Sequence, residues 1–300
     1  MTVNCPDKSV PPHLMHGDTI GIIAPASPFD LTRFNNGIQV LASMGFKINI
    51  PDSVYNKSGY LAGSDRDRAD QINASFADES IQAILCARGG YGSMRVLPYL
   101  DYTSIRQHPK LIMGFSDITA LLLSLYTRSG LISFHGPVIT TLATAGSKTL
   151  SSVYTALTAD KMTSIRLENG ITLNSGRASG RIVCGNLTTL CHLVGTPFQP
   201  MFNGNILIVE DTGEKPYRID RMLTQMNFAG VFEGLCGLGI GRFSHCGDMD
   251  ELHEIFSRMF IPMNIPVLSG FDIGHDAENS PVPFGLEAVM DADQQAVFFG

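Results

Sequence analysis

The chain has 300 residues, 44% hydrophobic and 16% charged, with a net charge of −7. That is enough for one large domain or two medium ones, and the absence of a Lys/Arg block argues against nucleic acid as a main partner, because phosphate contacts need clustered cations. No run approaches the ~18 uninterrupted apolar residues of a membrane span, and Met1 to Lys8 lack the apolar core of a signal peptide, so a cytoplasmic protein without a membrane partner is expected.

In chain order, residues 17–28 predict a first strand ending in a loop. Residues 31–44 predict a helix with Leu31, Phe34, Ile38, Leu41 and Ala42 on one face, stopped by Gly45. Phe46 to Ile50 predict a second strand, residues 64–77 a second helix, and Ile81 to Cys86 a third strand. Arg88-Gly89-Gly90-Tyr91-Gly92-Ser93 follow as a glycine-rich loop, and Met94 to Leu100 as a short helix. Leu111 to Met113 form a strand, Gly114 to Asp117 a tight turn, and the apolar residues beyond it a helix. Strands alternating with helices predict a parallel α/β sheet. Sites in such sheets form outside the carboxyl ends of the strands, where loops 24–28, 88–93 and 114–117 all lie.

Composition changes after about residue 145. A first domain over 1–145 is therefore followed by a Ser-, Thr-, Gly- and Asn-bearing connector over 146–176 and a second unit over 177–300. In that unit Gly180–Val183, Ile206–Glu210, Val231–Ile240, Val267–Ser269 and Leu286–Met290 predict strands, and residues 216–229 and 250–260 predict helices. Cys5, Cys86, Cys184, Cys191, Cys236 and Cys246 are scattered, mostly in apolar runs and without a Cys-x-x-Cys pair, as expected of reduced thiols.

The turn Gly114-Phe115-Ser116-Asp117 projects a serine above a sheet edge. Beside it lie the first amides of the following helix, which have no partner within the helix and carry partial positive charge. Such amides stabilise an oxyanion on a carbonyl that the serine attacks. The arrangement resembles a nucleophile elbow lacking the second glycine of G-x-S-x-G. An isolated G-x-S-D is more simply explained by Ser116 or Asp117 capping the helix.

A nucleophilic serine needs a base, and the base an orienting acid. His275 lies at a strand end in a loop rich in Gly, Asn and Pro, where functional residues and plain surface histidines both occur. His135 is the second candidate, whereas His192 in an apolar run reads as structural. Glu210 and Asp211 close a buried strand, where an unpaired charge is costly. Helix capping accounts for Asp211 and Glu214 better than for Glu210. The glycine loop 88–92 can present amides to an anion, but it is not a Walker loop, and no G-x-G-x-x-G opens the first helix. Gly237-Leu238-Gly239-Ile240-Gly241 reads as a tight turn after a strand or as a ligand loop. The His245–His253 segment lacks the second histidine of H-E-x-x-H, and no metal is expected.

Six segments in order make a specific set: Arg88-Gly89-Gly90-Tyr91-Gly92, Gly114-Phe115-Ser116-Asp117, His135-Gly136-Pro137, Gly185-Asn186-Leu187, Glu210-Asp211 and Gly274-His275. Together they resemble the LD-carboxypeptidase family of serine peptidases, which includes murein tetrapeptide carboxypeptidases and microcin C self-immunity peptidases. The resemblance implies an N-terminal flavodoxin- or Rossmann-like parallel-sheet sandwich and a smaller β-rich C-terminal domain. It implies a triad of Ser116 as nucleophile, His275 as base and Glu210 as its orienter, with the amides of Gly90 and Asp117 as oxyanion hole. Arg88 and Gly89 are expected to contact substrate. The implied reaction is hydrolysis of the bond between an L-residue and a terminal D-alanine of a murein tetrapeptide in peptidoglycan recycling, without cofactor, by a homodimer. The alternatives are a hydrolase of microcin C-like peptidyl nucleotides and a non-catalytic α/β protein that binds a small molecule.

Overall fold

The computed structural model describes residues 8–300, and Cys5 lies outside the described residues. The chain forms two units: residues 1–160 with 280–283, and residues 161–279 with 284–300.

The first unit is built on β1 (Thr19–Ile23), β2 (Lys47–Asn49), β3 (Ala83–Cys86), β4 (Leu111–Gly114) and β5 (Ser133–His135). These pair in parallel in the order β2-β1-β3-β4-β5. A strand from far along the chain, β12 (Val282–Phe284), completes the sheet beside β5. The order is that of flavodoxin-like sheets, in which the chain reverses its direction of travel between β1 and β3 and leaves a crevice outside their carboxyl ends. β3 and β4 are buried along their whole length, as parallel strands covered on both faces must be.

The first two helices start where the sequence supplies a cap. Asp30 accepts from Arg33 at the start of α1 (Leu31–Ser43), and Ser64 and Asp67 form a reciprocal capping box at the start of α2 (Asp65–Ala77). Gly45, with φ of +96°, ends the first of these turns as expected. The helix expected over 94–100 is shorter: α3 spans Ser93–Val96, and a 3₁₀ turn over Leu97–Tyr99 follows, because Pro98 has no N–H to continue an α-helical ladder. α4 (Tyr102–Gln107) was not anticipated, being too short to show a period. α5 (Thr119–Ser129) and α6 (Ile139–Leu142) come next.

Residues 146–176, read as a connector, divide between the units. α7 (Ser147–Thr158) sets Val153, Ala156 and Leu157 into the same core as Phe34, Leu85 and Met113, so it belongs to the first unit. β6 (Ser164–Arg166) and β7 (Ile171–Asn174) join the sheet of the second.

That second sheet has eight strands in the order β6-β14-β13-β8-β9-β10-β11-β7. Its middle strands β8 (Arg177–Asn186), β9 (Asn205–Thr212), β10 (Gly237–Ser244) and β11 (Val267–Ser269) are parallel. β13 (Glu287–Asp291) and β14 (Ala296–Phe299) add an antiparallel flank. α8 (Leu187–His192), α9 (Pro216–Phe228) and α10 (Met249–Phe260) belong to this unit. The strand expected over 231–240 begins only at Gly237, because Gly230 and Gly234 adopt φ of +71° and +72° and turn the chain first. Gly237, Gly239 and Gly241 are not a turn but lie within β10. A Cβ on Gly239 would stand 2.8 Å from Phe271 and 2.9 Å from Ile208, so the strand accepts close packing only without side chains there. No helix of the described residues is long and apolar enough to cross a membrane.

Candidate active site

In the first unit the chain leaves β4 at Gly114 and reverses through Ser116, whose φ is +64°. A left-handed backbone costs a non-glycine residue ~1–2 kcal/mol and is found where surrounding structure enforces it. The 3₁₀ turn Ser116–Ile118 then runs directly into α5. The half-exposed Ser116 therefore occupies a strained strand-to-helix corner of the kind that presents a nucleophile. The cap reading does not hold, since no side chain caps the start of this helical segment.

Gly89 lies against that corner, and a Cβ on it would sit 3.0 Å from Ser116 Cβ and 3.2 Å from Ser116 Oγ. The glycine loop is therefore close to the serine hydroxyl. Gly90 has φ of +107°, and its missing Cβ would stand 2.5 Å from Ser27 Oγ. Ser27 N donates to the Gly89 carbonyl at 3.3 Å, and Tyr91 N donates to Ser27 Oγ at 3.1 Å, joining the loops after β1 and β3. Arg88 is exposed, and its Nη1 donates to the Pro28 carbonyl at 2.8 Å. The Asp117 carboxylate accepts from Ser93 N at 2.8 Å, and Ser93 Oγ donates to the Asp117 carbonyl, which ties the Ser116 corner to the end of the glycine loop. Burial pushes the Asp117 carboxyl upward against these hydrogen bonds and against the nearby Arg68. Ser116, Asp117, Gly89 and Gly90 thus form one cluster, with Arg88 on the neighbouring loop contact. His135 is fully buried on β5, in an edge-to-face contact with Phe115 at 6.2 Å between ring centres.

In the second unit Glu210 and Asp211 stand near the end of β9, and both are buried. Their roles differ. Asp211 accepts from Thr188 N at 2.9 Å, Thr188 Oγ1 at 2.7 Å and Asn186 Nδ2 at 3.0 Å. It therefore caps the first turn of α8 from a neighbouring strand, which bears out a capping role by a route local sequence does not show. Glu210 instead accepts from His275, with Nδ1 2.8 Å from Oε2. The Glu210 side chain is wholly buried, and that of His275 is 21% exposed.

The loop carrying His275 is fixed on several sides. Arg242 N donates to the Ile273 carbonyl at 2.8 Å, Arg242 pairs with Asp272 at 2.5 Å, and Ser244 Oγ donates to Asp276 at 2.5 Å. Gly274, at φ of +131°, lets the backbone pass Glu210, since a Cβ there would lie 3.2 Å from Oε2. Burial raises the pKa of Glu210, opposed in part by the hydrogen bond and charge of His275. For His275 burial disfavours the cation, but the bond and charge of Glu210 outweigh it, so the imidazole is raised above its ordinary value. A carboxylate can only accept, so Nδ1 carries the proton and Nε2 keeps the lone pair a base uses.

Asn186, Ser27, Ser93 and Gly274 had no assigned role in the sequence reading. Asn186 is paired in register with Glu210 across β8 and β9, and it caps α8 through Thr189. Its Asn-x-x-Thr spacing at a strand-to-helix junction was the signal available. Among the described residues no group of three metal-ligating side chains assembles, and His253 Nε2 lies 2.9 Å from Ser269 Oγ. His192 is exposed in the last turn of α8 rather than buried.

Comparison with known proteins agrees over nearly the whole length. Residues 20–136 match the LD-carboxypeptidase N-terminal domain, and residues 179–290 match the LD-carboxypeptidase C-terminal domain. A probable murein peptide carboxypeptidase of Bacillus subtilis is 35% identical over 297 residues, covering 96% of this chain and 93% of that protein. The structure of muramoyltetrapeptide carboxypeptidase from Oxalobacter formigenes superposes with a TM-score of 0.84 at 28% identity, covering 93% of this chain and 97% of the other. A variant of the microcin C7 self-immunity protein in complex with adenosine monophosphate superposes with a TM-score of 0.89 at 27% identity, covering 97% and 98%.

Proposed function

This chain belongs to the LD-carboxypeptidase family, a family of peptide-cleaving hydrolases, and on that premise we propose that it is a serine-type LD-carboxypeptidase acting on murein tetrapeptides. The observation that carries the reading is the 2.8 Å bond from His275 Nδ1 to the fully buried Glu210, the base and orienter of a hydrolytic triad. The strained corner at Ser116 supports the third role.

In this reading His275 Nε2 takes the Ser116 proton as Oγ attacks the carbonyl of the L-residue joined to D-alanine. The amides of Gly90 and Asp117 receive the developing oxyanion. His275 then gives its proton to the departing D-alanine amine, and a water activated by the same imidazole hydrolyses the acyl-enzyme. Arg88 and Gly89 contribute to binding the terminal carboxylate. Side chains and backbone amides supply every group this chemistry uses, and the setting is turnover of murein peptides in the cytoplasm by a homodimer.

The likeness to the microcin C7 self-immunity protein favours a second reading, hydrolysis of a peptidyl nucleotide. The chain has no tryptophan, so a nucleobase platform there must come from Tyr or Phe.

The test is D-alanine release from free murein tetrapeptide by the purified protein and by Ser116→Ala. Release by the parent alone, with about a 10³-fold or larger loss in the variant, is the expected result. Equal release by both overturns the nucleophile assignment. Release by neither, with cleavage of a peptidyl-nucleotide substrate, moves the assignment to the second reading.

A further inference from the structure

We propose that Arg68 is a positioning residue for this reaction, a buried strut that sets the direction of the Gly90 amide; the inference rests on the role proposed for that amide. Arg68 lies on α2 and is fully buried. Its Nη1 donates both to the Pro25 carbonyl, in the loop after β1, and to the Gly92 carbonyl at 2.8 Å, at the end of the glycine loop. One nitrogen thus spans the two loops that diverge at the crevice between β1 and β3.

The same two loops meet again at Ser27. Ser27 N holds the Gly89 carbonyl at 3.3 Å. That carbonyl and the Gly90 N–H belong to one planar trans peptide and point in opposite directions. Fixing the carbonyl on Ser27 therefore fixes the heading of the Gly90 amide, and it does so only while loop 24–28 keeps its place. Gln71 Oε1 accepts from Ala24 N at 3.2 Å at the root of that loop, and Arg68 holds Pro25 one residue further on. Gly92 makes room for the contact: its φ is +125°, and a Cβ on it would stand 2.7 Å from Arg68 Nη1.

The strut is itself aimed. Arg68 Nη2 meets Asp65 Oδ1 at 2.5 Å, and the same carboxylate takes Arg95 Nε and Nη2 at 2.9 and 2.8 Å. Arg95 lies on α3, directly after the glycine loop. Stability alone does not explain a buried guanidinium, because a well-packed apolar group often serves as well. Arg68 Nε is buried without a hydrogen-bond partner, so the site is not optimised for holding the ion. What the guanidinium supplies, and lysine does not, is a planar fork whose separate nitrogens serve two carbonyls and a carboxylate together.

The test follows D-alanine release by the parent, Ser116→Ala, Arg68→Lys, Arg68→Ala and Asp65→Asn, alongside near-ultraviolet circular dichroism of each. Arg68→Lys should keep the parent's spectrum and its KM within about threefold while kcat falls about 10- to 100-fold, since misdirecting a catalytic donor affects the transition state more than the ground state. Guanidinium ion at millimolar concentration should restore part of the kcat of Arg68→Ala. Should the Arg68 variants fail to fold, Asp65→Asn, which loosens the aim of the fork and leaves it in place, should show the same kcat loss in smaller measure. Parental kcat in Arg68→Lys or Asp65→Asn, or a kcat loss no larger than the loss of folded protein, overturns the proposal. Turnover retained by Ser116→Ala would overturn the nucleophile reading itself, and with it this proposal.

Discussion

The Ser116 region of the first unit and the Glu210–His275 pair of the second are built by opposite means. The first is made of backbone. Its key groups are a serine at φ +64°, a glycine at φ +107° and amides at the start of a helical segment, none of which depends on ionisation. The second is made of buried ionisable side chains whose proton affinities depend on each other. The difference teaches where each region is vulnerable: one to added atoms and changed dihedral angles, the other to pH and isosteric loss of charge.

The largest expected effect falls on the charged pair. Glu210→Gln keeps the shape but can donate to Nδ1 and so favour the wrong tautomer, and kcat should fall about 10³- to 10⁴-fold with little change in KM. Steady-state kinetics of D-alanine release check it, and a loss below tenfold would remove Glu210 as orienter. Next comes the backbone region. Gly90→Ala adds a Cβ 2.5 Å from Ser27 Oγ at a φ of +107°, and displacing that loop should cost about 10²-fold in kcat. This loss should be the same at every pH, which a kcat profile of the variant checks.

A smaller effect separates the two regions by titration. As the proposed base His275 can act only when neutral, so kcat/KM should fall as pH drops through its folded pKa, which lies above the ordinary 6.5. The stability linked to the same group has the opposite trend. A raised histidine contributes fully below its unfolded pKa, and that contribution is lost as pH rises through the folded one. Activity should therefore rise across the window in which this part of the stability declines, which a pH–rate profile and urea midpoints over the same range measure. Glu210→Gln should move the acid limb toward lower pH, since it removes the carboxylate that raises the imidazole. The smallest effect is a gain. Ser116→Gly removes the left-handed strain and should stabilise the inactive protein by about 0.5 kcal/mol in urea unfolding, whereas Ser116→Ala should not.

How far the sequence could be read follows the same division. Regular elements of the first unit were legible because apolar periodicity and Gly45 mark their faces and ends locally, and the caps Asp30 and Ser64 that the structure adds are equally local. The edge strand Val282–Phe284 was not, because its place beside β5 is decided by residues far away in the chain. Glycines 237, 239 and 241 read as a turn because glycine is a turn former locally, yet Phe271, Ile208 and Ile273 demand it in a strand. Among the candidates for the proposed triad, Ser116, Glu210 and His275 stood out by residue type and setting. The residues that hold the loops and strands around them did not. Ser27, Arg68, Asn186 and Gly274 act through contacts across strands and loops, and nothing in their immediate neighbours announces those partners.

The return of residues 280–283 to the first unit has a consequence for how the chain is made. A ribosome that has released residues 1–160 has delivered five of the six strands of that sheet, leaving β5 with an open edge until Val282–Phe284 emerges more than a hundred residues later. An open strand edge is a template for pairing with another chain. The nascent protein must therefore hold its first unit unfinished while the whole second sheet is synthesised. Truncation anywhere before residue 282 should yield a product that aggregates rather than a smaller working fold.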